Sequence, residues 1–144
     1  MSIKIRKAEI KDFDFVYDFI CNLEETQFDK NSFRSIYRKN LSDKNIFYFV
    51  AETKSSVIGF ISIYIQPQLH HSANVAEIME LFVDENFRNK KTGAVLLKKA
   101  IAVARKNNCV LIELATNKRR KNAHRFYERE NFSKTHFKFT RKIN

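Results

Sequence analysis

Cysteine, glycine and proline are scarce in this chain, at two, two and one copies, and tryptophan is absent. Cys21 and Cys109 are too few and too far apart for a disulfide or metal framework, and each sits among apolar residues, as buried free thiols do. No stretch approaches the roughly 20 apolar residues that span a bilayer, and the N-terminus carries no signal-peptide pattern. A cytoplasmic protein without a membrane partner is therefore expected. With no internal repeat, linker or low-complexity stretch, residues 1–144 read as a single domain, long enough to bury a core. What is present fits that reading: 44% of residues are hydrophobic and 14 are Phe, a globular rather than disordered composition. Lys and Arg number 27 against 16 Asp and Glu, a net charge of +11. Such a surface attracts nucleic acid, acidic membrane or a phosphate-bearing small molecule, and charge alone does not choose among them.

Taken in order, Ile3 and Ile5 begin a strand-like alternation, and Phe13, Val16, Tyr17, Ile20 and Leu23 recur at helical spacing. Asp29 or Asn31 can cap a second helix carrying Phe33, Ile36, Tyr37 and Leu41. Ile46 to Ala51 and Val57 to Ile65 are β-rich runs joined as a hairpin by Glu52 to Ser56, and Pro67 ends the second run or marks an edge. Asn74 to Val83 is the next strand. A helix from Thr92 places Ala94, Leu97, Ala100, Ile101 and Ala104 on one face; then come a short strand from Val110 to Ala115, a helix from Lys121 to Glu130, and a final strand from Phe132 to Thr140. This order of strands and helices predicts an α/β (α+β) fold, a mixed sheet covered by about four helices.

The stretch from Val83 to Leu97 passes from strand through a polar loop into a helix. Residues Arg88, Asn89, Lys90, Lys91, Thr92 and Gly93 bring backbone N–H groups to a helix N-terminus, where unpaired amides and the helix dipole favour a phosphate. Gly93 lets that backbone come close to a ligand. The spacing Arg88-x-x-Lys91-x-Gly93 resembles the pyrophosphate loop of the Gcn5-related N-acetyltransferases, with Lys91 in place of the first glycine. Asn122-Ala-His-Arg-Phe-Tyr-Glu-Arg-Glu-Asn-Phe132 resembles their second signature, with Asn131 in place of glycine. Asn is the next most suitable residue for the left-handed position that ends a helix.

The resemblance implies acetyl-coenzyme A as cosubstrate, its pyrophosphate on the amides from Asn89 to Ala94 and its pantetheine arm along Leu81, Phe82 and Val83. Phe82 or Val83 N–H would face the thioester oxygen. Arg120 stands where many relatives carry a cofactor-contacting Asn, and Asn117 and Asn122 are the substitutes. Acyl transfer to an amine needs a base, and Glu77 and Glu80 interrupt an otherwise apolar strand. Their odd spacing predicts opposite faces. Glu77 aligns with the base of the histone-modifying members, Glu80 is the second candidate, and Tyr127 matches the tyrosine that protonates the leaving thiolate.

From end to end the chain resembles the aminoalkylphosphonate N-acetyltransferases, through Phe28-Asp29, Phe33-Arg34, Leu69-His70-His71, Glu77-Ile78-x-Glu80-Leu81, Ala123 to Tyr127 and His136 to Thr140. That family acetylates small amines bearing a phosphonate, is dimeric, and has been associated with divalent metals. Phe28, Arg34, His70, His71 and His136 are the substrate-binding candidates, the cationic and donor groups suiting a dianion. Adjacent histidines on a strand point to opposite faces, so ligand spacing does not support a metal site. Two other readings stand beside this one. An aminoglycoside, polyamine or protein N-terminus acceptor would use Asp14, Asp18, Glu24 and Glu25, and a non-enzymatic nucleic-acid-binding domain would use Lys98-Lys99 and Lys118 to Lys121.

Overall fold

The computed structural model describes residues 2–144; the side chains of Asn89 and Lys90, both expected at the cofactor loop, lie outside the described residues. The elements are β1 (Lys4–Lys7), α1 (Phe13–Glu24), α2 (Lys30–Leu41), β2 (Ile46–Glu52), β3 (Val57–Gln68), β4 (Ala73–Val83), α3 (Thr92–Lys106), β5 (Cys109–Leu114) and α4 (Lys121–Arg129). Five strands form one sheet in the order β1-β2-β3-β4-β5, antiparallel from β1 through β4. β4 reaches β5 through α3, the crossover that parallel neighbours need, which makes the sheet mixed as expected. The chain divides into two compact units, Met1–Glu113 and Leu114–Asn144.

Within Met1–Glu113 the hairpin register sorts every side chain to one face or the other. Tyr48, Val50, Phe60 and Phe82 share a face, and α1 and α2 cover it: Phe19 stacks on Phe82 with centroids 5.0 Å apart, and Tyr37 on Tyr48 at 5.6 Å. The opposite face belongs to α3, whose Leu96 and Leu97 are fully buried and whose Lys99 ammonium lies 5.0 Å from the Phe49 ring centre. Gly59 fixes how closely α3 approaches, because a Cβ there would meet Leu96 Cδ1 and the Phe82 carbonyl oxygen, both at 3.1 Å. That close seat holds the start of α3 against the end of β4. Asp29, rather than Asn31, caps α2 by accepting from Ser32 N–H at 2.9 Å.

Two strand expectations change. Pro67 pairs with Asn74 near the end of β3, which continues to Gln68. Phe132 to Thr140 forms no strand, and no residue from Ser133 to Asn144 is buried. Strand geometry needs partners for its N–H and C=O groups, and alternation alone supplies none.

Leu114–Asn144, taken by itself, is organised by α4. Asn117 begins it, its side-chain oxygen accepting from Arg119 N–H at 3.0 Å and its carbonyl from Arg120 N–H at 2.9 Å. Asn131 ends it in the expected left-handed conformation, at φ 71°. Asn131 N–H donates to the Glu128 carbonyl and Phe132 N–H to that of Tyr127, the paired bonds that close a helix C-terminus.

Candidate active site

The loop after β4 is a 3-10 turn, Glu85–Lys90, started by Asp84, whose carboxylate accepts from Asn86 N–H at 3.0 Å. Lys91 follows with φ 63°, so the residue replacing the family glycine adopts the left-handed conformation a glycine favours, at a cost of about 1–2 kcal/mol. Gly93 is the second residue of α3 and has no positive φ; what it contributes is the lack of a side chain. The first helical bond is Val95 N–H to the Lys91 carbonyl at 3.1 Å, and the Lys91 side chain makes no capping bond at this end. The N–H groups of Thr92, Gly93 and Ala94 therefore stand ahead of the helical ladder, oriented along its axis. That donor set fits a pyrophosphate.

Arg88 and Thr92 serve the loop itself. Arg88 Nε donates to the Val83 carbonyl at 2.9 Å, and its guanidinium sits 5.3 Å from the Phe82 ring centre, pinning the turn to the end of β4. Thr92 is fully buried, its hydroxyl donating back to the Phe87 carbonyl at 3.3 Å. Leu81, Phe82 and Val83 pair with Ile61, Phe60 and Gly59, so β3 occupies one edge of this stretch.

The carboxylates differ from expectation. Ser62 pairs with Glu80, but the next β3 residue, Ile63, pairs with Ile78, so Met79 is an extra residue on β4. Such a bulge restores the pleat phase. Glu77, opposite Tyr64, and Glu80, opposite Ser62, consequently share one face, the face covered by α1 and α2. The odd spacing that predicted opposite faces assumed an unbroken pleat.

Glu80 is half-buried and enclosed by hydrogen bonds. The fully buried Ser62 hydroxyl accepts from Glu80 N–H at 2.9 Å and donates to the Glu80 carboxylate. Burial pushes the Glu80 carboxyl above the usual carboxylate range, the Ser62 bond pulls it back in part, and Glu24 raises it further.

Asn40, on α2, donates from Nδ2 to the hydroxyls of Tyr48 at 2.7 Å and Tyr64 at 3.0 Å. Burial drives both phenols up, so they remain protonated donors at neutral pH. Tyr48, Ser62 and Glu80 form one row across three strands. Sequence reasoning missed Asn40, Tyr48, Ser62 and Tyr64, although Ser62 and Tyr64 two apart in an apolar strand were a visible signal of a polar face.

The substrate candidates are dispersed. Phe28 packs on Phe33 at 6.3 Å, and its carbonyl accepts from Tyr17 Oη. Arg34, half-buried on α2, places its guanidinium 4.6 Å from the Phe13 ring centre. His70 and His71 occupy a 3-10 turn, Leu69–His71, not a strand, with ring centres 4.3 Å apart rather than on opposite faces, and His71 Nδ1 lies 2.9 Å from Gln68 Oε1. Among the described residues no three of His, Cys, Asp and Glu gather into a group that could hold a metal ion.

In Leu114–Asn144, Tyr127 packs against Phe126 and Phe132 at 5.1 and 5.7 Å, and burial pushes its hydroxyl up to about 12 against a lowering by Arg120. His124 Nε2 lies 2.9 Å from the Asn117 carbonyl oxygen, and Asn122 accepts from Arg125. His136 is exposed, 2.7 Å from Thr135 Oγ1.

Comparison with known proteins identifies the architecture. The model of the acetyltransferase (GNAT) family matches residues 11–132. The chain is 40% identical over 140 residues, 97% of its length, to an aminoalkylphosphonate N-acetyltransferase of Salmonella typhimurium, of which it covers 91%. Among solved structures, a transcriptional regulator from Bacillus halodurans superposes with a TM-score of 0.91 at 24% identity, covering 99% of this chain and 100% of that one. An aminoglycoside N-acetyltransferase in complex with CoA gives 0.88 at 16% identity, covering 99% and 96%. At those identities the superpositions speak for the fold alone. The family match and the full-length relative together establish that this chain belongs to the GNAT family, as an acetyl-CoA-dependent N-acetyltransferase.

Proposed function

We propose that the chain acetylates the primary amine of a small aminoalkylphosphonate by direct transfer in a ternary complex. The observation that carries the substrate class is the 40% identity across nearly the whole length to an enzyme named for that acceptor. Acetyl-CoA, when bound, supplies the activated acetyl group; the chain's part is to hold it, free the amine of its proton and receive the charge of the departing thiolate. The amides of Thr92, Gly93 and Ala94 hold the pyrophosphate, and the β4 backbone from Leu81 to Val83 aligns the pantetheine arm by strand-like pairing.

Glu80 takes the amine proton in this reading. Its raised carboxyl is a stronger base than an exposed glutamate, and an acid–base group works best when its pKa lies near the operating pH. Tyr48, Tyr64 and Asn40 supply donors on the same face. Arg34, His70, His71 and His136 are each proposed as donors to the phosphonate on the strength of their motifs, and Phe28 is a further proposed substrate contact. The free thiols Cys21 and Cys109 support a reducing, cytoplasmic location. No helix among the described residues is long and apolar enough to cross a membrane. A homodimer belongs to the same proposal.

Tyr127 is the proposed proton donor, on the strength of its motif and its protonated state. A phenol at about 12 is a weaker acid than a thiol, so it donates a hydrogen bond as charge builds on sulfur and gives up its proton late. Tyr127→Phe should lower kcat by roughly 10²-fold or more with little change in the dissociation constant of acetyl-CoA. Equal turnover would remove Tyr127 from the mechanism.

The deciding experiment measures thiol release from acetyl-CoA with aminomethyl- and aminoethylphosphonate beside kanamycin and spermidine, with and without divalent metal. Turnover confined to the phosphonates is expected. Turnover confined to the polycations would overturn the substrate class and shift attention to Asp14, Asp18, Glu24 and Glu25.

A further inference from the structure

Asn40 lies in the last turn of α2, although asparagine is a weak helix former. Its backbone carbonyl is held by the turn that ends the helix, accepting from Asp43 N–H at 3.1 Å. Its side chain spans two strands, for Nδ2 donates to Tyr48 Oη at 2.7 Å and to Tyr64 Oη at 3.0 Å. Those bonds use both amide hydrogens, so neither phenolic proton points at Nδ2. Burial raises both phenols, and the two hydroxyls also bond to each other, a bond that pulls Tyr64 back down and pushes Tyr48 further up. The proton in that bond therefore belongs to Tyr48. Tyr64 Oη accepts twice, which fills its lone pairs, and its own proton is left to point away from both partners. The frame behind it is stiff: the Tyr48 ring stacks on Tyr37 at 5.6 Å and meets the edge of Phe60 at 5.3 Å.

Tyr64 follows Ser62 by two residues along β3 and shares its face; Ser62 stands opposite Glu80, and Tyr64 opposite Glu77. Tyr64 and Glu80 are thus diagonal neighbours on one face of the sheet, and Tyr64 is only half-buried, open to a ligand. An O–H donor placed there does not help the amine, because a bond donated to nitrogen occupies the lone pair that must attack the thioester. It suits an oxygen anion. We propose that Tyr64, oriented by Asn40 and Tyr48, donates its hydroxyl proton to a phosphonate oxygen of the acceptor while the amine of the same molecule lies at Glu80. This rests on the substrate class proposed above and adds to it a binding residue, Tyr64, and a positioning residue, Asn40, that no motif singled out. Glu77 and Glu80 share the face and repel a dianion, so a phosphonate held beside them needs a donor of more than ordinary strength. A phenol that accepts two bonds is polarised by them, and its outward bond strengthens accordingly.

Steady-state kinetics of the wild type, Tyr64→Phe and Asn40→Asp at saturating acetyl-CoA decide the matter, reading KM and kcat for aminoethylphosphonate beside the inhibition constant of ethylphosphonate, which carries the phosphonate without the amine. Tyr64→Phe should raise that KM and that inhibition constant together, by about 10- to 100-fold, the loss expected for one hydrogen bond to a charged group, with a much smaller fall in kcat. Asn40→Asp offers acceptors in place of donors, so the phenolic protons turn inward; it should weaken ethylphosphonate to a similar extent. Combined with Tyr64→Phe it should cost little more, because the same chain of bonds is already broken. Should Asn40→Asp fail to fold, Asn40→Leu, which removes the donor without adding charge, should raise both constants in its place. A wild type that acetylates phosphonates, with a Tyr64→Phe variant that keeps both constants or loses kcat alone, overturns this inference and leaves the substrate class standing. An effect of Tyr64→Phe with none from either Asn40 variant overturns the positioning role. A wild type inert toward phosphonates overturns the substrate class and this inference with it.

Discussion

Glu80→Gln should lower kcat by about 10²–10⁴-fold while leaving the affinity for acetyl-CoA near wild type. The substitution keeps the shape of the side chain and its hydrogen bond with Ser62 but removes the only state that can accept a proton. Because burial raises the Glu80 carboxyl, the wild-type rate should climb with pH through that raised value and then level. The variant should lose that limb and gain rate only at higher pH, where the amine deprotonates unaided. Stability should move the other way. A carboxyl raised by folding binds its proton more tightly in the native state, so its favourable contribution is present at low pH and is lost as pH rises through the folded value. Removing the buried charge should therefore leave the thermal midpoint at neutral pH unchanged or higher, which separates lost chemistry from lost structure. A variant with wild-type turnover and pH profile would transfer the role to Glu77, which the Met79 bulge places on the same face.

Arg6→Met should cost about 3–5 kcal/mol of folding stability at neutral pH. Arg6 joins β1, the turn before α1, and β2: Nη1 and Nη2 meet the Asp12 carboxylate at 2.9 and 2.8 Å, and Nε meets Glu52 at 3.1 Å. Asp12 is 2% exposed and also accepts from Glu9 N–H at 2.8 Å. Burial alone would raise its carboxyl; the Arg6 guanidinium and the Glu9 N–H outweigh it and hold the group below its ordinary 3.8. A depressed carboxyl contributes stability that is present above pH 3.8 and is lost as pH falls through the lower folded value. Methionine fills the volume but leaves a desolvated carboxylate, so the deficit should be largest near neutral pH and shrink toward pH 4. Urea unfolding at both pH values measures it. A loss under about 1 kcal/mol would mean that the pair behaves like an exposed one. Arg6→Met with Asp12→Asn should recover much of the loss, since no buried charge is then stranded.

The helices were legible because their determinants are local. Apolar spacing from Phe13 to Leu23 specifies the face α1 buries, Asp29 caps α2 through a residue three positions away, and Asn131 takes the left-handed position its side chain tolerates. The strand–turn–helix segment proposed to hold the pyrophosphate was legible for the same reason, as a strand end, a turn and a helix start within a dozen or so residues. Lys91 sits in the conformation that the family glycine would favour, so the local geometry is kept although the residue differs.

What depends on pairing was not legible. Counting two residues per pleat put Glu77 and Glu80 on opposite faces, and one unpaired residue, Met79, reverses that answer; where a bulge falls is decided by the partner strand, not by the strand that carries it. Asn40, Tyr48 and Tyr64 are scattered through the sequence and become one hydrogen-bonded cluster only when α2 lies on the β2–β3 hairpin. The C-terminal alternation predicts a strand, and the lack of pairing leaves Phe132 to Thr140 without one. By itself, then, the sequence determined the helices, the strand–turn–helix loop after β4 and the family signatures, all set by contacts within a few turns of chain. The tertiary structure decided which carboxylate is enclosed and which donors surround it, because those depend on register and burial between distant segments.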